Sequence, residues 1–226
     1  MSSLAPDKQL KCPVDETQCV WLQEIDVLRK KVAQLADQAM TDELTGLFNY
    51  RHLMWALNLE IERAHRSGNG FAVSILDFDN FKKLNDDHGH EFGNQVLRAA
   101  GDFLRRSLRK IDIPCRYGGE EFVMVLPGTG LREAVLLNER LRKGIAAMRL
   151  RAGSQQVPVS VSIGVDFFPA GDSVTAEQVL DRADQYLLQA KQAGKNRVLH
   201  PPLEGAAKGM STDERNALLD VFREQS

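Results

Sequence analysis

Arg116-Tyr117-Gly118-Gly119-Glu120-Glu121-Phe122 is the stretch on which the fold turns. Two glycines stand between segments of β character, and two carboxylates follow at once. A Gly-Gly pair is expected to supply the positive φ angles of a tight turn. The run therefore predicts a hairpin over about Pro114 to Leu126, with Glu120 and Glu121 at its tip. Adjacent carboxylates repel unless a cation neutralises them. Oxygen ligands at an exposed tip suit a divalent cation, most often magnesium held together with a nucleotide phosphate. Taken alone, the stretch fits a solvated, charged turn equally well.

A second acidic segment decides between these readings. Phe71-Ala72-Val73-Ser74-Ile75-Leu76 is an apolar run of strand length, rich in β-formers. It ends in Asp77-Phe78-Asp79 and continues as Asn80-Phe81-Lys82-Lys83-Leu84-Asn85-Asp86. Carboxylates at the end of a buried strand are well placed to hold a metal. On the expectation that Asp77 and Asp79 project to opposite faces, Asp77 is the candidate ligand and Asp79 a structural residue.

Other elements follow outward from these two. Apolar spacing predicts helices near Tyr50 to Arg66, Gly93 to Leu108, Leu131 to Ala147 and Ala176 to Ala193. Alternation over Val157, Val159, Val161 and Ile163 predicts one strand from Val157 to Phe168, and Arg197-Val198-Leu199 a short last strand. Trp21, Ile25, Leu28, Val32, Leu35 and Ala39 form a heptad seam after a potential cap at Asp15. Beyond Pro201-Pro202, a Gly205 to Gly209 linker leads to Ser211-Thr212-Asp213-Glu214, a capping box for a short helix. The expected organisation is 1–40 as a mobile N-terminus and signalling helix, 41–200 as the catalytic domain, and 201–226 as linker and terminal helix.

Across about residues 41 to 199 the chain resembles the GGDEF family, the diguanylate cyclases, in a Gly-Gly-Glu-Glu-Phe form. Asp42-Glu43-Leu44-Thr45-Gly46-Leu47, Ser162-Ile163-Gly164-Val165, Ala183-Asp184-Gln185-Tyr186, Ala190-Lys191 and Gly194-Lys195-Asn196-Arg197 extend the pattern in order. The resemblance implies an α+β fold with a central, mainly antiparallel sheet flanked by helices, like polymerase palm domains. It implies condensation of two GTP into cyclic di-GMP with release of two pyrophosphates. Two magnesium ions per active site are implied, manganese being able to replace them. The implied ligands are Asp77, the Phe78 carbonyl, Glu120 and Glu121, with Glu120 also the presumed proton acceptor.

Further roles follow from the same resemblance. Lys82, in a loop expected under the β- and γ-phosphates, neutralises developing charge. Lys191 and Lys195 contact phosphate, Asn85 binds guanine, and His90 lies in the neighbouring segment. Asn94 stands where the family usually has Asp; its amide offers one donor and one acceptor, which admits some adenine. Tyr50 departs from the family's frequent Arg and is read as structural. Arg109 and Asp112, supported by Arg140, match the family's inhibitory product site, since Arg forks onto guanine O6 and N7. The 21–39 helix and the catalytic domain are expected to pair two subunits. A degenerate module that only binds cyclic di-GMP, or a cyclase that also makes cyclic GMP-AMP, are the alternatives.

Bulk composition sets outer bounds. The chain has 226 residues, 43% apolar, with a net charge of −2. That charge argues against nonspecific binding to nucleic acid or anionic membrane. Apolar runs are too short to span a bilayer, and Met1 to Lys11 lacks a secretory apolar segment. Cys12, Cys19 and Cys115 form no disulfide framework, so a reduced, cytoplasmic protein is expected. Cys12 and Cys19 are candidates for redox sensing or for half of a zinc site.

Overall fold

The computed structural model describes residues 24–25, 27–31 and 40–203. Its elements run α1 (Tyr50–Ser67), β1 (Phe71–Phe78), α2 (Phe81–His88), α3 (His90–Ser107), β2 (Ile113–Arg116), β3 (Glu121–Pro127) and α4 (Leu131–Ala146). β4 (Leu150–Ala152), β5 (Gln155–Val157), β6 (Val161–Phe168), α5 (Ala176–Gln192) and β7 (Val198–Leu199) complete the order. Five strands form one sheet in the order β2-β3-β1-β6-β7. Its pairs are antiparallel except β6 with β7.

β1 is central and buried along its whole length. Its alternate side chains feed two cores, as the period of two requires. Ala72, Leu76 and Phe78 pack with Phe92, Val96, Leu97 and Ala100 of α3 and Leu141 and Ile145 of α4. Phe71, Val73 and Ile75 pack with Leu53 and Leu57 of α1 and Val179, Leu180 and Leu187 of α5. The result is a sheet between two helical layers, the α+β architecture that the sequence predicts. Asp77 belongs by parity to the α1/α5 side, at the end of β1 where the apolar run stops.

Two elements depart from expectation. Val157 to Phe168 is not one strand: Val157 ends β5, which pairs with β4, and β6 begins at Val161. Pro158 lies in the break, consistent with its missing donor. The segment around Lys82 is a helix, α2, not a loop. Its apolar Phe81 and Leu84, one turn apart, pack into the α3/α4 core.

Residues 24–25 and 27–31 are helical, and Ile25 and Leu28 of the heptad seam are exposed. Trp21, Val32, Leu35, Ala39, Cys12, Cys19 and the 211–214 capping box lie outside the described residues. Cys115 is buried, and burial pushes its thiol up to about 12, so it is inert. Among the described residues no helix is long and apolar enough to cross a membrane.

Candidate active site

The register of the central strands brings the acidic residues together. Asp77 lies directly opposite Glu121 of β3 and Ser162 of β6. Opposed residues of an antiparallel pair share a face, with Cβ atoms about 5 Å apart. Asp77 is only 5% exposed. Burial raises its pKa, Lys191 opposes the rise, and Asp79 and Asp184 add to it. Glu120 and Glu121 are also pushed up, first by burial and then by Asp77. Lys191, near the end of α5, answers part of this charge: its Nζ is 2.9 Å from Asp77 Oδ1.

A divalent cation fits this donor set. Among the described residues no three His, Cys, Asp or Glu side chains make a closed cation cage. Magnesium does not need one, since one or two carboxylates and substrate phosphates commonly suffice. Asp77, Glu121, Glu120 and the Phe78 carbonyl at the strand end are the protein oxygens available for it.

The hairpin turn is built differently from expectation. Neither Gly118 nor Gly119 has the positive φ expected of them. The connection is four residues long, and turns of that length are mostly built on type I geometry, which needs no positive φ. Tyr117 N–H and Gly118 N–H donate to Glu121 O at 2.9 and 3.4 Å. A Cβ at Gly118 would lie 2.6 Å from Glu121 Oε2, so a side chain there would displace the Glu121 carboxylate. Arg116 steadies the tip. Its guanidinium reaches both Asp42 oxygens at 3.2 and 3.0 Å and the Gly119 carbonyl at 2.7 Å. Asp42 also accepts from the Thr45 amide and hydroxyl. The sequence reading used Asp42 only as a family marker; an acid paired with Arg116 was legible only with the fold in hand.

The expectation that Asp79 projects to the face opposite Asp77 does not hold. Two residues apart on a continuing strand, Asp77 and Asp79 would share a face. They differ in their partners: the Asp79 amide still donates to the Ser160 carbonyl at 2.9 Å, and its carboxylate is taken up by hydrogen bonds. It accepts from Ser160 Oγ and Ser162 Oγ, each at 2.6 Å, and from Asn196 N–H at 3.0 Å.

Lys82 is exposed in the first turn of α2. The N-cap Asn80 makes no side-chain cap bond, because its Oδ1 accepts from Lys195 Nζ. The first amides of α2 therefore have no cap bond from Asn80, a geometry that suits phosphate oxygens. Asn85, on the same helix, faces α3, where a Cβ at Gly93 would come within 2.0 Å of its Oδ1. That Oδ1 is buried without a partner, an acceptor suited to a base N–H. Arg98, and after it Asn94, holds the Glu91 carboxyl below its ordinary value. His90 is exposed at the start of α3.

Arg109, Asp112 and Arg140 line a separate cavity of about 450 Å³ between the end of α3 and α4. Asp112 Oδ2 accepts from Arg109 N–H at 2.8 Å, while its buried Oδ1 has no partner. Burial raises the Asp112 pKa. Arg140 donates to the Ser107 carbonyl at 3.3 Å.

Residues 39–197 match the family model described as diguanylate cyclase, GGDEF domain. The chain belongs to the GGDEF family. The response regulator PleD of Caulobacter vibrioides is 40% identical over 176 residues, covering 77% of this chain and 38% of PleD. Diguanylate cyclase DgcS of Shewanella oneidensis is 37% identical over 195 residues, 83% of this chain and 64% of DgcS. The chain thus spans less than two thirds of these relatives. The solved coiled coil and GGDEF domain of DgcB from Caulobacter crescentus, in complex with c-di-GMP, superposes with a TM-score of 0.69. It is 29% identical and covers 79% of this chain and 94% of that one. In this GGDEF domain, then, the described residues gather Asp77, Glu120, Glu121 and Lys191 at one end of the sheet. Arg109, Asp112 and Arg140 meet elsewhere.

Proposed function

We propose that this GGDEF domain is an active diguanylate cyclase, joining two GTP into cyclic di-GMP with release of two pyrophosphates. The observation that carries this reading is the Asp77–Glu121 pairing, two carboxylates set side by side at the end of a buried strand. That arrangement costs energy unless it serves a cation. Magnesium, when bound, supplies Lewis-acid polarisation of the α-phosphate and eases ionisation of the attacking 3′-hydroxyl.

The chain's own residues do the rest. Asp77, Glu121, Glu120 and the Phe78 carbonyl hold the cation. The first-turn amides of α2 and the Lys82 ammonium receive the β- and γ-phosphates. Lys195 adds charge there, and Lys191 exchanges its Asp77 partner for phosphate. The buried Asn85 Oδ1 accepts from guanine. Glu120 at the hairpin tip is the proton acceptor, a weaker assignment for a cation ligand. The nucleophile of one GTP attacks the α-phosphate of another, so two domains face each other as a homodimer, each holding one nucleotide. Arg109, Asp112 and Arg140 take product guanine in their own cavity and slow the enzyme. The protein is read as cytoplasmic, with no nucleic-acid partner.

The same domain boundaries are proposed as in the sequence reading: 1–40 for pairing and signalling, 41–200 for catalysis, 201–226 as an appendage. Incubation with GTP and magnesium, followed by nucleotide chromatography, tests the reading. Cyclic di-GMP should form, and Asp77→Asn or Glu120→Gln should lose most of it while keeping the fold, as circular dichroism would show. Absence of any cyclic dinucleotide from wild type, with cyclic di-GMP still bound, would mean a binding module instead.

A further inference from the structure

The described non-glycine residues with positive φ are Asn80 (57°), Lys195 (62°) and Asn196 (46°). All three meet around one carboxylate. Asn80 follows Asp79 in the chain, and Asp79 Oδ2 accepts from Asn196 N–H. Asparagine adopts left-handed backbone readily, but it is costly for Lys195, and two non-glycine residues in succession are rare. Such conformations persist only where the surroundings over-determine them, and they collect at functional sites.

Here the surroundings are specific. The Lys195 amide donates to the Ala190 carbonyl at the end of α5. Arg142 of α4 donates through Nη1 to Asn196 Oδ1 at 2.8 Å. Arg142 is itself braced: its Nε and Nη2 both donate to Glu139 Oε2, at 3.1 and 2.8 Å, and its side chain is 16% exposed. Asn196 is thus gripped at its amide from β1 and at its side chain from α4. The residue before it, Lys195, sends its ammonium to Asn80 at the N-cap of α2.

We propose that Asp79 and Arg142 are positioning residues that clamp Asn196, and that the clamp sets Lys195 for the triphosphate. This rests on the reading of Lys195 as a phosphate contact. The strained turn shortens the path from α5 to α2 and fixes where the lysine stem leaves the backbone. A lysine carries several free torsions, and fixing its root lowers the ordering cost at each binding event. Without the clamp the two left-handed residues relax, and the ammonium samples positions away from the first turn of α2.

The test measures binding of 3′-deoxy-GTP, which lacks the attacking hydroxyl, and of GMP, both with magnesium, by calorimetry. Arg142→Leu removes the grip from α4. Asn196→Gly removes the gripped side chain while tolerating positive φ. Each should weaken 3′-deoxy-GTP roughly three- to tenfold, the cost of re-ordering one long side chain, and leave GMP unchanged. Arg142→Lys, which keeps a donor, should recover part of the loss. Lys195→Met should weaken 3′-deoxy-GTP at least as much, and adding Arg142→Leu to it should cost nothing more. Asp79→Asn is not the discriminating variant, since it also disturbs the Ser160 and Ser162 bonds. If Lys195→Met weakens binding while Arg142→Leu and Asn196→Gly do not, the clamp is overturned and the phosphate contact stands. If Lys195→Met has no effect, the phosphate contact fails and the clamp with it. Equal losses for GMP and 3′-deoxy-GTP would reduce Arg142 to a general structural role.

Discussion

Asp77 and Glu121 face each other across β1 and β3, and like charges so opposed destabilise a ladder. Glu121 has its pKa raised in the folded protein, first by burial and next by Asp77. A carboxylate raised in this way favours folding below its ordinary value and withdraws that support as pH rises through its folded value. Glu121→Gln should therefore melt like the wild type at low pH and higher than it at neutral pH, without divalent cation. The repulsion is worth about 0.2–1 kcal/mol, a rise of up to roughly 3 °C. Magnesium should narrow the gap, because it relieves the same repulsion in the wild type. Scanning calorimetry at several pH values, with and without magnesium, checks this; a variant less stable at neutral pH would remove the electrostatic account. Asn94 poses a second residue-scale question. It lies beside Glu91 and offers a base one donor and one acceptor. Equimolar GTP and ATP should give cyclic di-GMP as the main product in wild type, and Asn94→Asp should lower the share of adenine-containing product by less than about tenfold. Abundant cyclic GMP-AMP from wild type would show the donor turned to the base.

α4 joins the two sites at the scale of elements. It presents Arg140 to the cavity of Arg109 and Asp112, and Arg142 to Asn196. Asp112 keeps a buried, unpartnered oxygen there, a cost that a guanine N–H would offset. Arg109→Ala deletes the fork for guanine, and a bidentate pair is worth about 1–3 kcal/mol. Product should then inhibit at roughly five- to hundredfold higher concentration, with the initial rate unchanged; an inhibition curve like the wild type would leave only a charged helix end. The elements that make these cavities differ in how far the sequence betrays them. β1 is legible because an apolar run of strand length stops at Asp77, and α3, α4 and α5 because their apolar spacing is long. α2 is hidden by its polar Lys82, Lys83, Asn85, Asp86 and Asp87, with only Phe81 and Leu84 to mark a buried stripe. β4 and β5 are three residues each, too short for any period, and Pro158 disguises the start of β6. The acids at the site were legible by type and spacing. The Asp42–Arg116 and Asp79–Asn196 pairings were not, because partners 74 and 117 residues apart leave no local pattern.

For the molecule as a whole, the decisive constraint is stoichiometric. In the proposed reaction one site with one nucleotide would hold half of the product, so synthesis would require two domains to meet. The described part of the N-terminal helix keeps Ile25 and Leu28 exposed at 37% and 55%. Both belong to the seam of Trp21, Ile25, Leu28, Val32, Leu35 and Ala39, whose positions repeat every three or four residues. Two seam residues open to solvent on a helix that precedes the catalytic domain are the kind of positions a two-stranded coiled coil buries between subunits. A pair of such helices would raise the effective concentration of one catalytic domain for the other. Replacing Leu28 and Leu35 with Glu should therefore yield monomers in sedimentation, with each catalytic domain still folded. The rate per mole of monomer should rise in proportion to protein concentration at low concentration, where encounters limit turnover. Wild type should show a constant rate per mole over the same range. Variants that sediment as wild type, or that keep a concentration-independent rate, would mean that the catalytic domains pair without the helix.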